Sequence, residues 1–430
     1  MELKALILFR VPDSDTLRSL VLASPGYHQA YLTVREKVLE SLVRRQYDGF
    51  LDLAEALTAV RSKPLHFTTQ RERAISLLDS WRRRNEIRHS ACKTLSRSIH
   101  EPDGLEEIID LLRFHKMLNF FLGDFSIHAP RPPWIETAQW EKQLPLHLTV
   151  LEKQRFLKAL CRFQVLANMF GDTYFHRDYN KKVWQLGDAG RAVDGSSEAP
   201  VGTIEMEVYR MFYGPMLPWE HDEMGSVLGY LVSKVAAICA DITDDLRQLM
   251  KRTPGHHGWF YDILPVEQRP PIGEVECERD LDNFHWQFPG LASLGPEFLH
   301  DILHMDWLTR RNIIIENTRP FWAGPFIGEK VYWLHARFPC LEPADRYTFQ
   351  DFEELWLELP PLEQASVGWK KTWLLPPRKD DDEDLEDCMR SNRDVEKNWE
   401  WSYVLWDEKR LQEWEAPLLL PDDEVPATWW

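Results

Sequence analysis

Two histidines four residues apart, His300 and His304 in FLHDILHMDW, are the pair in this chain best spaced for chemistry. On a helix, residues at i and i+4 project from one face, so both imidazoles could bind one divalent metal ion. Metal-assisted hydrolysis on that spacing places a glutamate directly after the first histidine to activate water. Asp301 stands there instead and has a shorter reach, and no third histidine follows at the expected distance. The main expectation for the pair is therefore a packing or surface role, with no metal and no cofactor assigned. An enzyme with a dispersed site that uses these histidines is the minority alternative.

Other chemical constellations fail on their partners. His176-Arg177-Asp178 has the residue types of a phosphoryl-transfer triplet in which the aspartate accepts a hydroxyl proton, but the asparagine required five residues later is Val183. His256-His257, between Gly255 and Gly258, makes a loop that could host a ligand, and nothing else in the sequence joins it. The six cysteines, at 92, 161, 239, 277, 340 and 388, contain no Cys-x-x-Cys, which removes zinc ribbons, thioredoxin chemistry and a dense disulfide framework. No nucleophile elbow, phosphate-binding loop or dinucleotide fingerprint is present. No catalytic residue is assigned, and the chain reads as non-enzymatic.

Composition narrows the partners. The 430 residues are 44% hydrophobic and 28% charged, as suits a folded chain with a sizeable core, and the formal net charge of −18 repels phosphate backbones. Nucleic acid is therefore not an expected partner. No secretory signal is visible before Arg10 and Asp13, which points to a cytoplasmic location with nuclear entry open. The longest apolar run, Val227 to Ala240, is interrupted by Ser233 and Lys234 and reads as too short to cross a bilayer, so no membrane is expected either.

The elements that must position these residues are mostly helices. Leu3, Leu6 and Ile7 recur at helical spacing, and Val11-Pro12-Asp13 stops that helix. Asp13, Ser14 or Asp15 can cap a second helix carrying Leu17, Leu20 and Val21 on one face. Ser24-Pro25 opens a third, with serine at a capping position and proline in the first turn. Its apolar face runs through Tyr27, Ala30, Tyr31, Val34, Val38, Leu39 and Leu42. Further helical patterns cover Leu51 to Val60, Ala74 to Trp81, Leu105 to Leu118, Leu148 to Phe170, Ile204 to Phe212 and Asp222 to Met250. Long loops are expected near 128–147, where four prolines suggest a rigid surface connection, and near 187–202, 253–273 and 375–393. The last holds the acidic run Lys379 to Asp387, read as a solvated face. Val331 to Leu334 is the best strand candidate. The fold class is mainly α, an N-terminal three-helix module over 1–60 followed by a helical, Trp-rich domain over 61–430.

Twelve of the 19 tryptophans lie beyond residue 300. Such density favours an aromatic core, with a partner-gripping groove as the alternative.

The N-terminal order of elements resembles the F-box, and more narrowly the F-box-like N-termini of a group of filamentous-fungal proteins. Glu2-Leu3, Leu6 to Leu8, Val11-Pro12, Leu17, Leu20, Leu22-Ala23-Ser24-Pro25, Tyr27-His28 and Ala30-Tyr31 carry the match, and the closing Trp406 to Trp414 run resembles C-terminal helices of the same group. The resemblance implies an interaction protein of the ubiquitin-ligase substrate-receptor type. A Skp-type adaptor within a cullin complex would dock on Leu3, Leu6, Val11, Pro12, Leu17, Leu20 and Val21, and the rest of the chain would receive an unidentified protein target. The pattern's opening leucine-proline does not precede Glu2, so a second reading is a helical scaffold whose degenerate F-box no longer binds an adaptor.

Overall fold

The computed structural model of the chain describes residues 2–66, 69–84, 99–170, 211–212, 216–252, 291–292, 294–318, 359–360, 363–373 and 399–417. The fold is mainly α-helical, as the periodicity implies, with no strand among the described residues. The strand candidate Val331 to Leu334, the loops at 187–202, 253–273 and 375–393, and nearly all of the helix expected over Ile204 to Phe212 lie outside them. Two compact units divide the chain, one of residues 1–129 and 144–165, the other of residues 130–143 and 166–430.

The first unit begins with α1 (Glu2–Leu8), α2 (Ser14–Ala23) and α3 (Pro25–Tyr47), and continues with α4 (Leu53–Ser62), α5 (Arg71–Arg82) and α6 (Gly104–Ile127). Local chemistry sets the boundaries. The Asp13 carboxylate accepts from the Thr16 N–H at 2.7 Å and from its hydroxyl at 2.9 Å, which caps α2, a device worth about 1 kcal/mol. Those donors favour the ionised form, so Asp13 titrates below the usual aspartate range. Pro25 occupies the first turn of α3, where its missing N–H costs nothing. Asp52 caps α4 through the Ala54 N–H.

α3 is the axis on which α1, α2 and α6 pack. Its buried side chains, Ala30, Val38, Leu39, Leu42, Val43 and Tyr47, recur at three- and four-residue spacing and face inward. The Tyr47 hydroxyl donates to the Leu111 carbonyl at 2.9 Å, and burial pushes the phenol well above its ordinary pKa. Arg61 of α4 forks onto Glu107 of α6 at 2.7 and 2.9 Å. α3 and α4 are thus tied to α6 by a buried phenol and a bidentate ion pair. On α6 the inward stripe is Ile108, Leu111, Phe114, Met117, Leu118, Phe121 and Phe125, while Leu105, Ile109 and Leu112 are only half-buried.

Next along the chain come α7 (Thr137–Glu141) and α8 (Val150–Phe170). The α8 periodicity predicts one apolar face, yet the helix is buried all round from Arg155 onward, including Lys158, Arg162, Gln164 and Asn168. Arg162 escapes the cost of burial through an ion pair described below. Cys161 is fully buried on the same helix, and burial, followed by the nearby Glu55 charge, pushes its thiol well up. Cys239 is buried as well, and burial pushes its thiol up.

The second unit is organised around the long α9 (Pro218–Arg252), with α10 (Pro296–His304), α11 (Trp307–Thr318), α12 (Val367–Trp373), a 3-10 turn at Tyr403–Leu405 and α13 (Glu408–Glu413). By length and composition alone α9 could cross a bilayer, so the exclusion based on the shortness of Val227 to Ala240 does not hold. However, 61% of its most apolar window is buried inside the protein, as in a core helix. The proline-rich stretch over 128–147 combines exposed residues, among them His128, Arg131 and Pro145, with the short α7 and the buried Pro132, Ile135 and Trp140. Trp140 packs edge-on against Trp414 at 5.1 Å between ring centres.

Candidate interaction surface

The short helices α1 and α2, packed on the long α3, leave the N-terminal module with one apolar face too many. Leu8 is fully buried at the end of α1, while Leu3 and Leu6 are 72% and 62% exposed and Ile7 is also exposed. Leu22 on α2, 72% exposed, and Leu32 on α3 add further outward apolar side chains. Single exposed leucines are ordinary on a protein surface, but three on a seven-residue helix make a contiguous apolar strip. Lys4 on the same helix sits over the Tyr27 ring at 5.7 Å, which fixes α1 against the start of α3.

The residues expected to dock an adaptor divide by environment. Leu3, Leu6 and Pro12 are exposed, Leu20 and Val21 are half-buried, and Val11 and Leu17 are buried. The last two belong to the module's own core, where periodicity alone could not separate an inward apolar residue from an outward one.

Sequence reasoning did not single out two buried polar clusters. In the first unit, Glu55 accepts from the Trp81 indole N–H at 3.0 Å and from Arg162 Nη2 at 3.0 Å, with Arg84 Nη2 at 3.3 Å. Both guanidinium groups also lie over the Trp81 ring, at 5.3 Å for Arg162 and 5.6 Å for Arg84. One carboxylate therefore holds two cations around one indole. Glu55 sits between Ala54 and Ala56 as the only acid of α4, and a lone acid among small apolar neighbours is the signal that would have marked it.

In the second unit, Asp222 in the first turns of α9 accepts from the Trp399 indole at 3.0 Å through Oδ1, and from the Trp369 indole at 2.9 Å and the Tyr403 hydroxyl at 2.7 Å through Oδ2. Glycine makes room for this arrangement. A Cβ on Gly225, one turn further along, would overlap the Trp399 ring. His221 is buried beside the same carboxylate, and burial holds its pKa below the ordinary value against the opposing pull of Asp222. The neighbouring Trp134, Trp140, Trp401, Trp406 and Trp414 continue the aromatic mass. Arg410 lies over both Trp406 and Trp414, at 5.6 and 5.5 Å. Trp369, Trp401, Trp406 and Trp414 thus fill a core with Trp399 half-buried beside them, whereas Trp307 is exposed at the start of α11.

Of the chemical candidates, His176-Arg177-Asp178, His256-His257 and the acidic run Lys379 to Asp387 lie outside the described residues. His300 and His304 do come together on α10, with ring centres 4.3 Å apart. Among the described residues, no group of three or more His, Cys, Asp or Glu side chains is arranged to hold a metal ion. Comparison with family models, with curated proteins and with solved structures found no match.

Proposed function

We propose that this chain is a non-enzymatic protein-interaction protein whose N-terminal helical module docks a partner through the outward face of α1, as an F-box-type substrate receptor docks a Skp-type adaptor. The exposure of Leu3, Leu6 and Ile7 beside the buried Leu8 is the observation that carries this reading. An apolar strip that its own fold leaves in water is stabilised when a partner covers it, at roughly 25 cal/mol per Å² of apolar surface removed. The scaffold alternative, in which α1 is folded onto the body, fits less well, because it calls for those leucines to be buried. In the proposed role the second unit receives the target, and any ubiquitin-transfer chemistry belongs to other subunits.

Affinity purification of the full chain from native cells tests the reading. Adaptor and cullin are expected to be recovered with the wild type and lost with the double substitution Leu3→Glu and Leu6→Glu, which alters only exposed side chains. Failure to recover either protein with the wild type ends the substrate-receptor reading.

A further inference from the structure

Resting on the docking reading of α1, we infer that its partner is an acidic protein whose apolar groove ends in a carboxylate that pairs with Arg10. The outward face of α1 does not stop at Ile7. The Phe9 N–H donates to the Ala5 carbonyl at 3.1 Å and the Arg10 N–H to the Ile7 carbonyl at 2.9 Å, so the backbone keeps turning past the last helical residue. Leu3, Leu6, Ile7 and Arg10 thus follow one another at i, i+3, i+4 and i+7, the spacing at which a helix laid into a groove presents its anchors. All four are exposed. Leu8 and Lys4 point elsewhere, Leu8 into the core and Lys4 over the Tyr27 ring of α3.

Arg10 is the charged member of that face, and the fold does not use its charge. Among the described residues nothing pairs with its guanidinium, and the acids that follow it are engaged with other groups. Asp13 accepts from Thr16, and Asp15 faces Lys116 at 3.6 Å. The exposed Glu2 lies eight residues back, about 12 Å along the helix and beyond the screening length of physiological salt, so a partner meets the two charges separately. A guanidinium at the end of an apolar strip matches a carboxylate at the end of an apolar groove, because its planar fork takes both oxygens and the leucines beside it exclude water. At 1.5 Å per residue that carboxylate stands about 10 Å along the groove from the pocket that receives Leu3. The charge balance of the module selects the same partner. Residues 2–47 carry seven lysines and arginines against five acids, in a chain whose formal net charge is −18. An acidic protein is therefore repelled by the chain as a whole and steered to this module.

Affinity purification of the full chain, with each recovered protein quantified by mass spectrometry, tests the pairing. The partner is defined as a protein that the wild type retains and the Leu3→Glu, Leu6→Glu double variant loses. Arg10→Glu is expected to lower its recovery at least about tenfold, and Arg10→Lys to keep most of it. Arg45→Glu, an equal charge change at the far end of α3, is expected to leave it unchanged. Carbodiimide then serves as the probe of the Arg10→Lys complex, where it couples the substituted ammonium to a carboxylate in contact with it. The joined peptide is expected to contain an aspartate or glutamate of the partner. If the partner is a Skp-type adaptor, both readings stand; if it is another protein, the acidic groove stands and the substrate-receptor reading falls. Full recovery with Arg10→Glu overturns the pairing and leaves α1 as a docking face, as does coupling confined to this chain's own acids. Absence of any protein whose recovery depends on Leu3 and Leu6 overturns both.

Discussion

Replacing Asp222 by asparagine should destabilise the second unit by roughly 2–4 kcal/mol. Oδ1 accepts the Trp399 indole N–H, and Oδ2 accepts the Trp369 indole and the Tyr403 hydroxyl. An indole can only donate, and the asparagine amide replaces one acceptor oxygen by an NH₂ donor. Whichever way the amide turns, one indole N–H then faces another donor. The less costly orientation aims the NH₂ at Trp399, which is half-buried and can turn toward water, and keeps the oxygen for Trp369 and Tyr403. One donor is then lost, at about 1–3 kcal/mol, and two hydrogen bonds to a charged acceptor become neutral ones, at about half their strength each. Urea unfolding followed by tryptophan fluorescence measures the difference, with Trp399→Phe as the companion variant that removes one donor and leaves the carboxylate in place. Within this reasoning Trp399→Phe costs less than Asp222→Asn. A loss below about 0.5 kcal/mol for Asp222→Asn, the range of an ordinary surface change, refutes the role assigned to this carboxylate.

Three further outcomes follow from the same structure. Leu17→Ala should cost about 2–5 kcal/mol by thermal or urea unfolding, because the side chain is buried, whereas Leu3→Ala and Leu6→Ala should stay within about 0.5 kcal/mol; a large stability loss at Leu3 or Leu6 would place α1 in the core and not on a docking face. Glu55→Ala removes the carboxylate that the Arg162 and Arg84 guanidiniums share and should cost about 3–5 kcal/mol, or prevent folding of the first unit, as judged by circular dichroism; near-wild-type stability would contradict the shared pairing. Burial lowers the folded-state pKa of His115 and His221 below that of the unfolded chain, so the unfolded state binds the extra protons. Their contribution to stability is complete above about pH 7 and is lost as pH falls through about 6.5 toward the lowered values. The urea midpoint should therefore drop between about pH 7.5 and pH 5.5, and drop less in His115→Gln; a midpoint that rises on acidification contradicts the sign.

Along the first unit, local residue chemistry was enough to mark most helix boundaries. Asp13 as cap, Val11-Pro12 as stop and Ser24-Pro25 as restart all act within a few residues of themselves, so they are readable without the fold. Spacing also disclosed that His300 and His304 share a face, since one helical turn is a local property. The α6 stripe shows the limit of such reading. Its apolar residues cover more than half the helix circumference, and periodicity leaves open which side meets α3 and α4.

By itself, then, the sequence determined a mainly helical chain, the capped helices of its N-terminal module and the absence of a recognisable catalytic motif. Only tertiary structure decided which apolar residues are core and which remain in water, because Leu3, Leu6 and Leu8 are chemically alike and differ solely in what α3 leaves uncovered. Tertiary structure also decided that Asp222 is a buried hub. Its donors lie 147, 177 and 181 residues away, and no short-range pattern can encode a hydrogen bond closed over that distance. The same holds for Glu55 and Arg162, 107 residues apart, each of which in isolation would be expected in solvent and which meet because burial penalises either charge without the other.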